Sequence, residues 1–194
     1  MTLAKPTGTI QGDLLIAVIA HQVGQYRDMT APSGFTPIPS TDWADGNNAR
    51  IHSWYKLAGP VEPSSYTFPL TGGSGQDISG GMLDVSGASQ AAPINASGGQ
   101  SNGPVASIFV TAPSITTSLA NTLLVFGGAC ANNYTYTPPR GMTELWDRGT
   151  TSATAKVSTE AATVALPGPG PTGTSTATVS SSCRSVAIQI AVSS

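Results

Sequence analysis

The chain has 194 residues, enough to bury a sizeable core as one domain or as two small ones. Only 9% of them are charged and the net charge is −2, against about 25% charged residues in an ordinary soluble domain. The scattered cations exclude the clustered phosphate neutralisation that nucleic acid and anionic membrane surfaces require, and the apolar runs at 14–20, 122–129 and 186–192 exclude a disordered chain.

Short β-rich runs alternate with Gly, Pro, Asn and Asp clusters, and no window carries a 3.6-residue period, so the pattern predicts an all-β protein. The first strands are expected at 2–5 and 14–20. The second is apolar on both faces, which places it at a sheet centre with its far face covered by a loop, the other half or a partner subunit. Too short to span a bilayer, preceded by Gly12-Asp13 and flanked only by Lys5, it reads as a buried strand rather than a signal-peptide core. The expectation is synthesis without export. A neutral surface then points to a particle assembled in the cytoplasm.

Strands follow at 34–39 and 49–57. In the latter, Ile51, Ser53, Tyr55 and Leu57 share one face, taken as the core face. Arg50, His52, Trp54 and Lys56 share the other, taken as wet. An aromatic ring among donors suits stacking on a sugar or docking a protein partner; the plainer reading is that Trp54 covers a neighbouring strand. The loop 42–48 is rich in oxygen ligands for calcium, but its spacing matches no EF-hand and its residues are ordinary turn formers. His21 and His52 are the only histidines. They define no Ser-His-acid site, and with two cysteines they make no spaced metal cluster, so no catalytic residue, metal or cofactor is expected.

Strands at 65–71, with Tyr66, Phe68 and Leu70 alternating against Thr67 and Pro69, and at 79–86 complete the first half. A Gly/Ser/Ala/Asn-rich linker is expected at about 89–104. The second half is expected to hold strands at 105–112, 122–129, 141–147, 153–165, 174–180 and 184–192. In the last, Val186, Ile188, Ile190 and Val192 face the core and Ser185, Ala187, Gln189 and Ala191 face water. The segment 167–171 reads as a rigid surface tip. Trp43, Trp146 and Tyr134 sit near predicted loops, as contact surface or as plugs. Asn95-Ala96-Ser97 and Asn133-Tyr134-Thr135 fit the glycosylation pattern, without an export signal to use it. Cys130 ends one strand and Cys183 begins another. A bridge is geometrically feasible if these strands are neighbours, whereas synthesis without export favours free, buried thiols.

The two halves echo each other. Gly12-Asp13-Leu14-Leu15 returns as Asn121-Thr122-Leu123-Leu124, and Pro32-Ser33-Gly34-Phe35-Thr36 as Pro139-Arg140-Gly141-Met142-Thr143. The expected architecture is an antiparallel, jelly-roll-like β-sandwich over residues 1–194, built from half-repeats at about 1–88 and 105–194, with two tandem sandwiches as the alternative.

With Trp54-Tyr55-Lys56-Leu57-Ala58 and Pro63-Ser64-Ser65-Tyr66-Thr67-Phe68, these motifs make the chain resemble a β-sandwich module of tailed-bacteriophage virion proteins. The resemblance covers nearly the whole chain, although Met82-Leu83-Asp84-Val85-Ser86 places an acid where the family has a hydrophobic-aromatic strand. It implies a non-enzymatic structural protein of the virion, a minor tail protein or capsid decoration, made in the bacterial host cytoplasm. Its partners would be copies of itself and other virion proteins. The alternative is a carbohydrate-binding adhesin module that recognises a host surface glycan through Arg50, His52, Trp54 and Lys56.

Overall fold

The computed structural model describes residues 1–22, 28–71, 78–150 and 156–194. The first half carries β1 (Thr2–Ala4), β2 (Leu14–Gln22), β3 (Asp28–Met29), β4 (Thr36–Pro37), β5 (Trp43–Ala44), β6 (Ala49–Leu57), β7 (Ser65–Thr67), β8 (Leu70–Thr71) and β9 (Ile78–Val85). The second carries β10 (Ile94–Ser101), β11 (Ser107–Ala112), β12 (Thr116–Thr117), β13 (Thr122–Cys130), β14 (Tyr136–Thr137), β15 (Thr143–Gly149), β16 (Ser158–Leu166), β17 (Gly170–Pro171), β18 (Ser175–Cys183) and β19 (Ser185–Val192). Every strand pair is antiparallel. The all-β sandwich expected from the sequence is what the chain forms.

The strands stack in four layers. The inner sheet of the first half has the order β4-β6-β2-β9, with β5 also on β6; that of the second half has the order β10-β19-β13-β16-β15. These sheets meet face to face. Leu14, Ile16, Val18, Ile51 and Leu83 from one pack against Val125, Ala161, Val186, Ile188 and Ile190 from the other. The outer face of each inner sheet has its own cover. In the first half the β1-β7 and β3-β8 pairs lie over Leu15, Ala17, Ile19 and Trp54, supplying Leu3, Met29, Tyr66 and, beside β7, Phe68. In the second half β11-β18-β14 lies over Phe126, Cys130 and Ala187, supplying Val110, Ala177, Val179 and Tyr136.

This layering explains β2, whose first eight residues are all buried. Its even-numbered side chains enter the shared core and its odd-numbered ones the first half's minor core. Each large aliphatic group so placed contributes about 1.5–3 kcal/mol by leaving water.

The layering also corrects two expectations of a wet face. All eight residues of β19 are buried, including the Ser185, Ala187, Gln189 and Ala191 set. The buried Gln189 amide is satisfied, accepting from Thr172 Oγ1 at 2.7 Å and donating to Gly173 O at 3.0 Å and Ser175 Oγ at 2.9 Å. On β6 the supposedly wet Trp54 and His52 are only 5% and 3% exposed. The expected linker is largely strand: β10 runs beside β19 from Ile94 to Val192, so glycine-rich sequence here is sheet rather than tether. Gly99 makes this possible, because a Cβ there would meet the Trp43 ring at 2.6 Å and Ile188 at 2.7 Å. The expected strand at 65–71 is split in two around Phe68-Pro69, and the tip at 167–171 contributes β17 to a short pair with β12. The start of the strand expected at 153–165 lies outside the described residues.

The echoed motifs adopt the same local structure. Phe35 N–H bonds to Pro32 O at 3.2 Å and Met142 N–H to Pro139 O at 3.0 Å, closing turns whose glycines, Gly34 and Gly141, have φ of 90° and 83°. Gly12 and Asn121, which precede β2 and β13, are both left-handed, with φ of 93° and 54°. The order β4-β6-β2-β9 recurs as β15-β16-β13-β19.

Candidate functional site

The densest chemistry lies where β2 and β6 meet under the first cover. The register sets His21 opposite Arg50 and His52 opposite Ile19, so the two imidazoles are diagonal neighbours on one face. Their Nε2 atoms are 3.1 Å apart and their rings stack at 5.2 Å. His52 stacks in turn on Trp54, centroids 5.3 Å apart and 13° from parallel, and Trp54 leans on Phe68. His52 Nδ1 lies 3.4 Å from Asp42 Oδ1. Arg50 grips the same carboxylate through Nε and Nη2, both at 2.7 Å, and reaches Asp28 at 3.6 Å.

Partial burial works against the charge on Asp42, but the hydrogen bonds from His52 and Arg50 outweigh it and hold the carboxyl well below its usual range. The hydrogen bond to Asp42 likewise raises Arg50. An Asp-His-His chain can in principle relay a proton. The nearest serine in sequence, Ser53, faces the other side of β6, where its Oγ is 2.5 Å from Thr41 Oγ1. The arrangement therefore gives the imidazoles no nucleophile to activate from that serine.

Asp28, Asp42 and His52 each offer a ligand atom within 4.8 Å of the others. Arg50 already lies against both carboxylates, so a metal ion would have to displace the guanidinium. The 42–48 loop is likewise committed. Asp45, 2% exposed, takes Arg184 at 2.5 and 2.7 Å and Ser101 Oγ at 2.9 Å, pinning the loop to the second half.

The four residues expected to form a contact face are thus divided. Trp54 and His52 are core. Arg50 is a half-buried brace. Lys56 is half-buried and, with Tyr66 O–H and Gly59 N–H, converges on the Glu62 carboxylate. The expectation of a wet face is corrected accordingly: its polar side chains are paired within the fold. Cys130 and Cys183 form a disulfide with Cα atoms 5.9 Å apart, the bridge that the sequence had left open beside free, buried thiols. Trp146 is a plug, 7% exposed and lying on Gly81, where a Cβ would meet its ring at 2.7 Å.

Two features escaped the sequence. Glu160 on β16 is fully buried with neither carboxylate oxygen hydrogen-bonded, and burial, reinforced by Glu144 and Asp147, pushes its pKa up to about 8. A groove of about 420 Å³ opens where β4 and β6 of the first half face residues 91–97 of the second. No protein-family model matches the chain, and no curated protein and no solved structure matches it at a significant level.

Proposed function

We propose that this protein is a non-enzymatic structural module of a virion surface, of the minor-tail or capsid-decoration kind, working by assembly with copies of itself or with neighbouring particle proteins. The observation that carries this reading is the edge strand β11. Among the described residues it pairs only with β18, and along and just before it Val105, Ile108 and Phe109 are 77%, 38% and 56% exposed. An apolar sheet edge is an aggregation hazard in a free monomer and an asset in a lattice that covers it. Charge offers little competing handle, because Asp42, Asp45 and Glu62 are already neutralised by Arg50, Arg184 and Lys56.

Light scattering of the purified protein at micromolar concentration tests the reading. A defined trimer, pentamer or hexamer that dissociates on Phe109→Lys supports it. A monomer that also fails to join particles made in the same cells overturns it. The burial of Trp54 speaks against the carbohydrate-binding alternative at its original site.

A further inference from the structure

We propose that the groove between the halves is a binding site for a neutral saccharide, a function separate from assembly. Its lining includes Thr36, Pro37 and Tyr55 from the first half and Pro93, Asn95 and Ser97 from the second, with no charged side chain among the described residues. Anionic and cationic ligands therefore gain no ion pair there. A half-exposed aromatic ring beside prolines, an amide and hydroxyls matches the alternating apolar and hydroxyl faces of a sugar ring.

The polar groups are held in place beforehand. Asn95 Nδ2 donates to Ser118 Oγ at 3.0 Å while its Oδ1 accepts from Ser118 N–H at 2.9 Å, which fixes the amide and leaves its second N–H for a ligand. Ser97 Oγ donates to Pro39 O at 2.6 Å, tying the two walls together and leaving its own oxygen free to accept. Tyr55 is packed against the shared core and also lines the groove. Further along β10, Trp43 lies 39% exposed over Gly99, its Nε1 fixed on Ser40 O at 2.9 Å. Asn95 and Gly99 are four residues apart on this strand, about 13 Å. That span suits two or three linked sugar rings, with Tyr55 in the groove and Trp43 beyond its lining in the direction of Gly99.

The test is saturation-transfer NMR and calorimetry of the full chain with maltose, cellobiose, lactose, mannobiose and chitobiose at millimolar concentration. The expected result is binding of at least one disaccharide, with shifts at residues 36–37, 55 and 91–97. Tyr55→Ala should weaken it at least ~10-fold and Asn95→Ala about 5-fold. Trp43→Ala should weaken the disaccharide more than the matching monosaccharide. If Tyr55→Ala fails to fold, Asn95→Ala and the shift map decide. Failure of all five sugars to bind overturns the proposal, as does binding that survives these substitutions or maps elsewhere. The mass measurement that tests assembly is independent of this outcome.

Discussion

The two halves bury opposite chemistries in matching places. Aligning β2 with β13 through their echoed Leu-Leu pairs makes Ala17 the counterpart of Phe126, Ile19 of Gly128 and His21 of Cys130. Through the two registers, Trp54 then corresponds to Ala162 and His52 to Glu160. Each half thus sets a titratable group at one position between inner sheet and cover. In the first half it is partnered: His52 has His21, Asp42 and Trp54 around it. In the second it is bare, with Glu160 kept uncharged by its surroundings. The covers are fastened differently too. The second half uses a disulfide from Cys130, where the first has His21 and its stack. A shared framework fixes where a side chain goes; the neighbours decide whether it stabilises.

The comparison predicts first that the large ring matters equally in either strand. Trp54→Ala and Phe126→Ala each remove the one large ring of corresponding cross-strand pairs, Ala17–Trp54 and Phe126–Ala162, and each should cost about 3–5 kcal/mol in denaturant unfolding. A loss confined to one half would break the equivalence. Next, the Cys130→Ala/Cys183→Ala double variant releases a bridge of sequence separation 53 and should lose roughly 4 kcal/mol, compared with the parent under oxidising conditions.

The third prediction sets pH against the two carboxyls. Glu160 keeps its proton in the folded state up to about pH 8 while the unfolded chain loses it at its ordinary value. Its contribution is therefore complete at acid pH and is lost as pH rises towards 8. Glu160→Gln should flatten that alkaline slope and stabilise the protein by about 1–3 kcal/mol at pH 8, with no gain at pH 4, in melts across this range. Asp42 has the opposite sign. Its lowered pKa contributes stability above the ordinary carboxyl range, lost as pH falls through the folded value. Because Asp42 is half exposed, Asp42→Asn is the smallest effect, under about 1 kcal/mol at pH 7 and vanishing in acid.

Strand positions were largely legible. Alternation placed β6 at 49–57 with the observed bounds, and the doubly apolar run at 14–20 marked the sheet centre. Burial was legible only where side chains were apolar. Arg50, His52 and Lys56 read as wet because a single sequence does not show that Asp42, His21 and Glu62 wait across the fold to pair with them. Composition hid β10, since Gly98 and Gly99 look like tether until Ile115, Trp43 and Ile188 are found packed on them. The groove was illegible for the same reason: Tyr55 and Asn95 line one groove only because the halves stack. The echoed turns at Gly34 and Gly141 were visible as motifs, and their shared φ gives those motifs a physical meaning.

The position of β19 has a mechanical consequence. It is held on one side by β10 and on the other by β13, and Ser193 N–H continues the hold through Pro93 O at 2.9 Å. At the opposite end of the sequence, β1 is a three-residue strand that, among the described residues, pairs only with β7. Tension entering beyond Val192 runs along β19 and loads two ladders in shear at once, whereas tension entering before Thr2 peels one short ladder bond by bond. Unfolding by force from each end is therefore expected to meet more resistance at the C-terminal strand than at the N-terminal one.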